Sequence, residues 1–302
     1  MKLGIIGGSG LYGLKGLEQA APSHAHRHAQ ETPWGWPSDV LVEGEISGLP
    51  VVFLARHGPG HRIAPAEINY RANIAALKAL GCTAVLSVAA CGSFSEELPP
   101  GSLTVPHQIV DRTHGRASSF LGGGIVSHLS LADPIVLELA AHVAAAGAEA
   151  GAQVHAGGIY LAIDGPRFQT RAESQLARAQ GFDVVGMTAM PEAALAREAE
   201  MAYAIAAFVT DYDSWREGGP EGAGGSGAAV TTSAVMEVMA ANSARAQAMV
   251  TALCAQLAKA PLGIPSREGW EQALDNAIVT PRTHWPTEAA AHLRAIAPRL
   301  FA

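Results

Sequence analysis

Residues 203–215 read YAIAAFVTDYDSW. Tyr203–Val209 is short, uncharged and apolar throughout, and a polar cluster follows it. That pattern predicts a strand buried on both faces. Such a strand belongs to a sheet covered by helices, so an α/β fold is expected. Working outward, Met1–Gly7, Val51–Ala55, Thr83–Val88 and Ile159–Ile163 are further short apolar runs with strand character. Between them lie helical patterns. Ala66–Leu80 places Tyr70, Ile74 and Leu77 on one face, with Gly81 where a C′ residue belongs. Asp133 and Pro134 make an N-cap and N1 pair before the stripe Val136, Leu139, Ala140 and Val143. Pro191–Glu200 and the Ala-rich Thr231–Lys259 complete the alternation, and irregular chain beyond Pro261 leads to a short terminal helix. The reading is a single domain over residues 1–302. Gly218–Gly227 (GGPEGAGGSG) is the one low-complexity segment, and it fits either a linker or a loop within one domain.

Composition excludes several classes. With 49% apolar and 16% charged residues in 302, the chain can bury a large core and is too apolar for disorder. The net charge is −7 and no Lys/Arg run occurs, so no nucleic-acid partner is expected. No stretch of about 18 apolar residues suggests a membrane span. The N-terminus lacks the pattern of a signal peptide. Cys82, Cys91 and Cys254 form no C-x-x-C, and free thiols fit a reducing, cytoplasmic location.

Five clusters carry chemistry. Gly8-Ser9-Gly10-Leu11-Tyr12-Gly13 matches G-x-G-x-x-G after a strand. A dinucleotide site, hence an NAD-binding oxidoreductase, would also need a helix opening at the glycines and an acid about 20 residues on. The following segment is a poor helix, so an anion-binding turn or a plain structural turn fits better. Arg56-His57-Gly58-Pro59-Gly60-His61 joins a guanidinium suited to phosphate with an imidazole able to donate a further bond. His57 and His61 are four apart, but Pro59 and two glycines argue against a helical metal site. The alternating His24, His26 and His28 fit a solvated edge better than a metal, and no metal is expected. Ala90-Cys91-Gly92-Ser93 ends a strand, and Cys91 has no local base to activate it. Asp164-Gly165-Pro166-Arg167-Phe168 fits an Asp164–Arg167 ion pair with Phe168 in the core, or a ligand edge. In Thr210–Trp215, strand alternation would put Asp211 and Asp213 on one side, where one acid acquires a raised pKa.

In order along the chain, IIGGSGL, RHGPGH with NYRANIAALK, AACGS, DGPRFQTRAES, GMTAMPEAALAREA and TDYDSW resemble the trimeric purine nucleoside phosphorylase family, in its methylthioadenosine-acting branch. The likeness runs from residue 3 to about 215 and more loosely to 258. It implies a single-domain fold with a central mixed β-sheet flanked by helices, a homotrimer with sites near subunit contacts, and phosphorolysis. Orthophosphate attacks the anomeric carbon of a nucleoside as co-substrate, and no cofactor is needed.

Carried over motif by motif, the resemblance assigns phosphate to Ser9, Arg56, His57, the Ala90 backbone and Thr188. Ala89 stands where the family's motif has Thr, so one hydroxyl contact is lost. Met187 packs on the ribose and Phe168 on the purine. Asp211 reads purine N7 and the exocyclic amine, with Asp213 in support. Thr232, Val235 and Met236 line the 5′ pocket, which His61 and His128 close, His128 from a neighbouring subunit. An ionised Asp211 accepts from a 6-amino group and cannot donate to a 6-oxo group, which points to adenine. The 186–199 segment resembles methylthioinosine phosphorylases, so a 6-oxopurine substrate is the alternative within the family.

Overall fold

The computed structural model describes residues 1–8, 26–216 and 231–301. Ser9, His24 and the Gly218–Gly227 segment lie outside the described residues. The strands in chain order are β1 (Leu3–Gly7), β2 (His26–His28), β3 (Leu41–Ile46), β4 (Leu49–Ala55), β5 (Ala84–Ser93), β6 (Leu103–Val105), β7 (Gln108–Arg112), β8 (Val154–Ala156), β9 (Ile159–Ile163), β10 (Val184–Gly186) and β11 (Ala202–Asp211). The helices are α1 (Tyr70–Ala79), α2 (Leu137–Glu149), α3 (Arg171–Ala179), α4 (Ala189–Glu198), α5 (Thr232–Lys259) and α6 (Thr287–Ile296).

All the strands join one mixed sheet. Its main path runs β2-β3-β4-β1-β5-β10-β9-β7, and β11 branches from β5 to carry β6 and β8. Every residue of β11 is buried, as its uncharged sequence requires for a strand with both faces covered. β5 is the pivot. Its first half pairs in parallel with β1, ending at Gly7↔Val88, while β11 follows its other edge as far as Gly92. Beyond Val88 it parts from β1, and its last residues pair antiparallel with β10 through Gly92↔Val185 and Ser93↔Val184. That change of neighbour opens space at the carboxyl ends of β1, β4, β5 and β11, where ligands of α/β sheets bind.

Two helices depart from the sequence reading. The 66–80 pattern splits into a 3₁₀ turn at Pro65–Glu67 and α1 from Tyr70. Asn69 causes the break: its side-chain oxygen accepts from the Ala72 N–H at 3.2 Å, capping a new helix, while its amide donates to the Trp34 carbonyl at 2.7 Å. The helix expected from Asp133 starts instead at Leu137. The chain before it is bonded elsewhere, the Val136 N–H to the Tyr203 carbonyl and the Asp133 carbonyl to Arg197. The apolar stripe is still buried as expected. In α4, Met190 is non-helical, so the regular helix begins at Pro191. Among the described residues no helix is long and apolar enough to cross a membrane.

Candidate functional site

A cavity of about 490 Å³ occupies the space opened by β5, a volume suited to a small-molecule ligand. Its floor comes from strand ends: Gly8 after β1, Arg56 and His57 after β4, Ala89–Gly92 of β5, and Thr210 and Asp211 of β11. Met187 and Thr188 line the wall before α4, Phe168 and Gln169 the wall before α3, and the first turns of α5 the mouth.

Asp211 and Asp213 both line the cavity and both are buried, but alternation along a strand is not what aligns them. The register with β5 slips between Val209 and Asp211, and Asp213 lies beyond the strand with φ +49°. The chain turns back on itself there, so the Asp213 N–H donates to Asp211 Oδ1 at 2.8 Å. The Thr210 hydroxyl donates to Oδ2 at 2.8 Å. Burial pushes Asp211 up to about 6 despite these two donors. Asp213 is also raised by burial, and its Oδ2 has no hydrogen-bond partner among the described residues. The glycine of A-C-G-S is explained by the acids. A Cβ on Gly92 would lie 3.0 Å from Asp211 Oδ1 and 3.2 Å from the Asp213 Cβ. Cys91 is buried, and burial together with the Asp211 charge raises its thiol pKa well above the ordinary value, leaving it inert.

Arg56 is buried, and its Nε and Nη2 are held by neighbours while Nη1 makes only a long 3.4 Å contact to the Val88 carbonyl. Its Nε and Nη2 donate to the two oxygens of Glu192 at 3.0 and 3.2 Å, and Nη2 also donates to Ser87 Oγ at 2.6 Å. Tyr203 donates its hydroxyl to Glu192 Oε1 at 2.9 Å. Gly8 makes room for the guanidinium, since a Cβ there would lie 2.8 Å from Nη1. The sequence reading quoted Glu192 within a motif without giving it a role. No local signal could have paired it with a residue 136 positions away.

His57 differs from expectation. Its Nδ1 lies 2.9 Å from the Ile63 carbonyl, which can only accept, so Nδ1 carries the proton. Burial, then the Arg56 charge, lowers its pKa to about 4. The neutral ring therefore offers Nε2 as an acceptor rather than as the expected donor. His61 stacks on the ring with centroids 4.1 Å apart.

The structure also brings Ala90, Thr188, Met187 and Phe168 to the cavity. The Met187 sulfur fits because residue 165 is glycine, where a Cβ would lie 2.4 Å from Sδ. Thr232, Val235 and Met236 share one face of α5 at the mouth, with His61 nearby along the lining. His128 is exposed and absent from the lining of its own chain's cavity. Ser9 lies outside the described residues. The Asp164–Arg167 pair does not form. Arg167 meets Glu173 at 2.8 Å, and Asp164 accepts from the His114 backbone N–H at 2.9 Å. Arg116, unmarked in the sequence reading, donates to the carbonyls of Met187, Met190 and Asp164 at 2.8, 2.7 and 2.8 Å and so ties the 187–190 stretch to the chain after β9. Among the described residues no group of three His, Cys, Asp or Glu side chains could hold a metal ion.

Residues 2–255 match the phosphorylase superfamily. The chain is 45% identical over 299 residues to S-methyl-5′-thioadenosine phosphorylase of Bradyrhizobium diazoefficiens, covering 99% of this chain and 98% of that one. Its likeness to the enzyme of the same name from Geobacter sulfurreducens is 46% over 249 residues, 82% of each chain. Among solved structures, a methylthioadenosine phosphorylase from an antarctic soil metagenomic library superposes with a TM-score of 0.86 at 40% identity, covering 97% of this chain and 98% of that one. Methylthioadenosine phosphorylase of Schistosoma mansoni in complex with adenine superposes with a TM-score of 0.77 at 36% identity, over 86% of this chain and 92% of that one. The chain belongs to the phosphorylase superfamily.

Proposed function

We propose that the protein cleaves S-methyl-5′-thioadenosine with orthophosphate, giving adenine and 5-methylthioribose 1-phosphate. The observation that carries this reading is the buried Asp211–Asp213 pair lining one cavity with Arg56 and His57. Orthophosphate sits by Arg56, His57, the Ala90 backbone and Thr188, and attacks the anomeric carbon as the bond to the purine breaks. Met187 packs on the ribose and Phe168 on the base. Ionised Asp211 accepts from the 6-amino group. With a pKa near 6, roughly a tenth of it is protonated at pH 7, a form able to donate to N7 as charge develops there. Asp213 Oδ2, which has no hydrogen-bond partner among the described residues, supplies one more acceptor. Thr232, Val235 and Met236 present an apolar patch to the 5′ methylthio group. We place the protein in the cytoplasm as a homotrimer, with His128 of a neighbouring subunit closing the 5′ end.

The test is release of free base from methylthioadenosine, methylthioinosine, adenosine and inosine, each with and without phosphate. Release from methylthioadenosine that requires phosphate is expected. Preference for methylthioinosine would overturn the adenine assignment. Release without phosphate, or none from any substrate, would overturn the phosphorylase reading, and an NAD-binding role would then be tested by calorimetry.

A further inference from the structure

The phosphate subsite of the proposed function has an unusual charge balance. Arg56 is the one Lys or Arg among the described residues that line the cavity. Its charge is already matched, because Glu192 holds it by two bonds with both side chains 1% exposed. The neutral donors, Thr188 and the Ala90 N–H, add no charge. His57, fixed by Ile63 through Nδ1, contributes a neutral ring when the site is empty. A phosphate group carries a charge near −2 above its second pKa. Among the described residues the formal charges around this subsite sum to zero, and placing a dianion there, away from water, is strongly unfavourable unless positive charge arrives with it.

Resting on that reading, we propose that phosphate enters the site together with one proton, held between His57 Nε2 and a phosphate oxygen. The geometry selects this atom. Nδ1 is committed to the Ile63 carbonyl, and Nε2 has no hydrogen-bond partner among the described residues. His57 lines the cavity beside Arg56, so with Nδ1 held by Ile63 its Nε2 is the ring nitrogen left to meet the anion in that subsite. The other groups around it do not compete. Arg56 keeps its proton at all relevant pH, the stacked His61 imidazole has its pKa lowered by burial, and Tyr70 and Tyr203 are pushed up by burial and stay neutral. Asp211 and Asp213 face the base end of the same cavity. Without the anion, burial and Arg56 keep His57 neutral down to about pH 4. A dianion beside Nε2 reverses that balance, because a nearby opposite charge favours the protonated ring.

Calorimetric titration of the whole enzyme with inorganic phosphate at pH 8.5, in buffers of different ionisation enthalpy, reads the proton directly. Near one proton taken up per site is expected. In His57→Gln, which cannot hold the proton, uptake should fall to near zero and affinity at least about tenfold. A second measurement needs no variant: the phosphate KM of the unaltered enzyme should rise about tenfold from pH 8 to pH 9, the slope linked uptake of one proton demands. Heats independent of buffer, a flat KM over that range, or unchanged uptake in His57→Gln would each overturn the proposal. If base release still requires phosphate in those cases, the phosphorylase reading stands and only the proton is lost. No phosphate heat and no phosphate-dependent release would remove both.

Discussion

Burial lifts Asp211 from 3.8 to about 6, and the fold carries the cost. A raised carboxylate adds stability that is fully present below pH 4 and lost as pH rises through 6. The displacement amounts to on the order of 3 kcal/mol lost by pH 7. Asparagine keeps the shape and is neutral throughout, so the stability of Asp211→Asn relative to the original should improve between pH 4 and pH 7. Urea titrations at the two pH values check this, and a pH-independent difference would contradict it. The same variant should lose about 10²–10⁴ in kcat/KM for methylthioadenosine, the worth of a positioned general acid, and shift in relative preference toward methylthioinosine. Asp213→Asn should do less. The support for Asp211 comes from the Asp213 backbone N–H, which asparagine retains, and asparagine tolerates the positive φ. Arg56 separates binding from stability. Arg56→Ala should raise the phosphate KM by roughly ten- to a hundredfold, the worth of a charge-assisted bond. It should also cost about 3–5 kcal/mol, because Glu192 is left as an unpaired buried charge. Adding Glu192→Gln should recover part of the stability while the phosphate KM stays high. Recovery of both together would mean Arg56 serves the fold alone. Arg56, His57, Asp211 and Asp213 were legible in the sequence because each follows an apolar run that reads as a strand. Glu192 and Arg116 were not, because their partners are set by tertiary contacts.

The strands that build the floor were legible as elements because buried strands of an α/β sheet are continuous apolar runs: β1, β4, β5, β9 and β11 all stand where such runs occur. Three-residue strands such as β6, β8 and β10 carry too few residues for a period, and only their pairing within the sheet defines them. The helix from Tyr70 was displaced from its sequence bounds by a polar cap, and periodicity does not register caps. α5 matched its expected span to one residue, and Thr231 caps it by accepting from Ala234. Its first turns place Thr232, Val235, Met236 and Met239 at the cavity, the i, i+3, i+4, i+7 spacing of a helix face. Substrate choice at the 5′ position belongs to this face. Val235→Ser replaces an apolar contact by a hydroxyl near the mouth. The preference for methylthioadenosine over adenosine should fall about tenfold, the scale of a small apolar contact in a pocket. Steady-state kcat/KM for the two nucleosides measures it, and an unchanged ratio would remove α5 from the 5′ pocket.

At the scale of the whole molecule, the branched sheet explains why strand ends of one chain supply the floor of the cavity while the first turns of α5 lie at its mouth. Met236 is 49% exposed there, and His61, which also lines the cavity, is exposed. Strand order and the parting of β5 from β1 were not legible in the sequence, since no local pattern says which strands pair. His128 was assigned to the 5′ end from a neighbouring subunit, and its own chain keeps it away from the cavity. It sits on a bridge that pairs Ser127 with Ile278, flanked by Val126 and Val279, which are 53% and 57% exposed. An apolar patch of this kind is what an interface between copies covers. If each mouth is closed by a neighbour's His128, two differently damaged chains should repair each other. Asp211→Asn destroys the base end of its own site yet still lends an intact His128. His128→Ala keeps its own Asp211 and lacks only the lent imidazole. Mixed trimers formed by subunit exchange then contain sites in which a His128→Ala chain's Asp211 meets the imidazole of an Asp211→Asn neighbour. Their methylthioadenosine KM should return to the original value at a fraction of the sites. The mixture should therefore exceed the mean activity of the two separate variants at low substrate. Sedimentation of the unaltered protein should give three times the 31.1 kDa chain mass. Trimers whose mixtures show only the average of the two parents would place His128 outside every active site, and the 5′ end would then be closed by the protein's own chain.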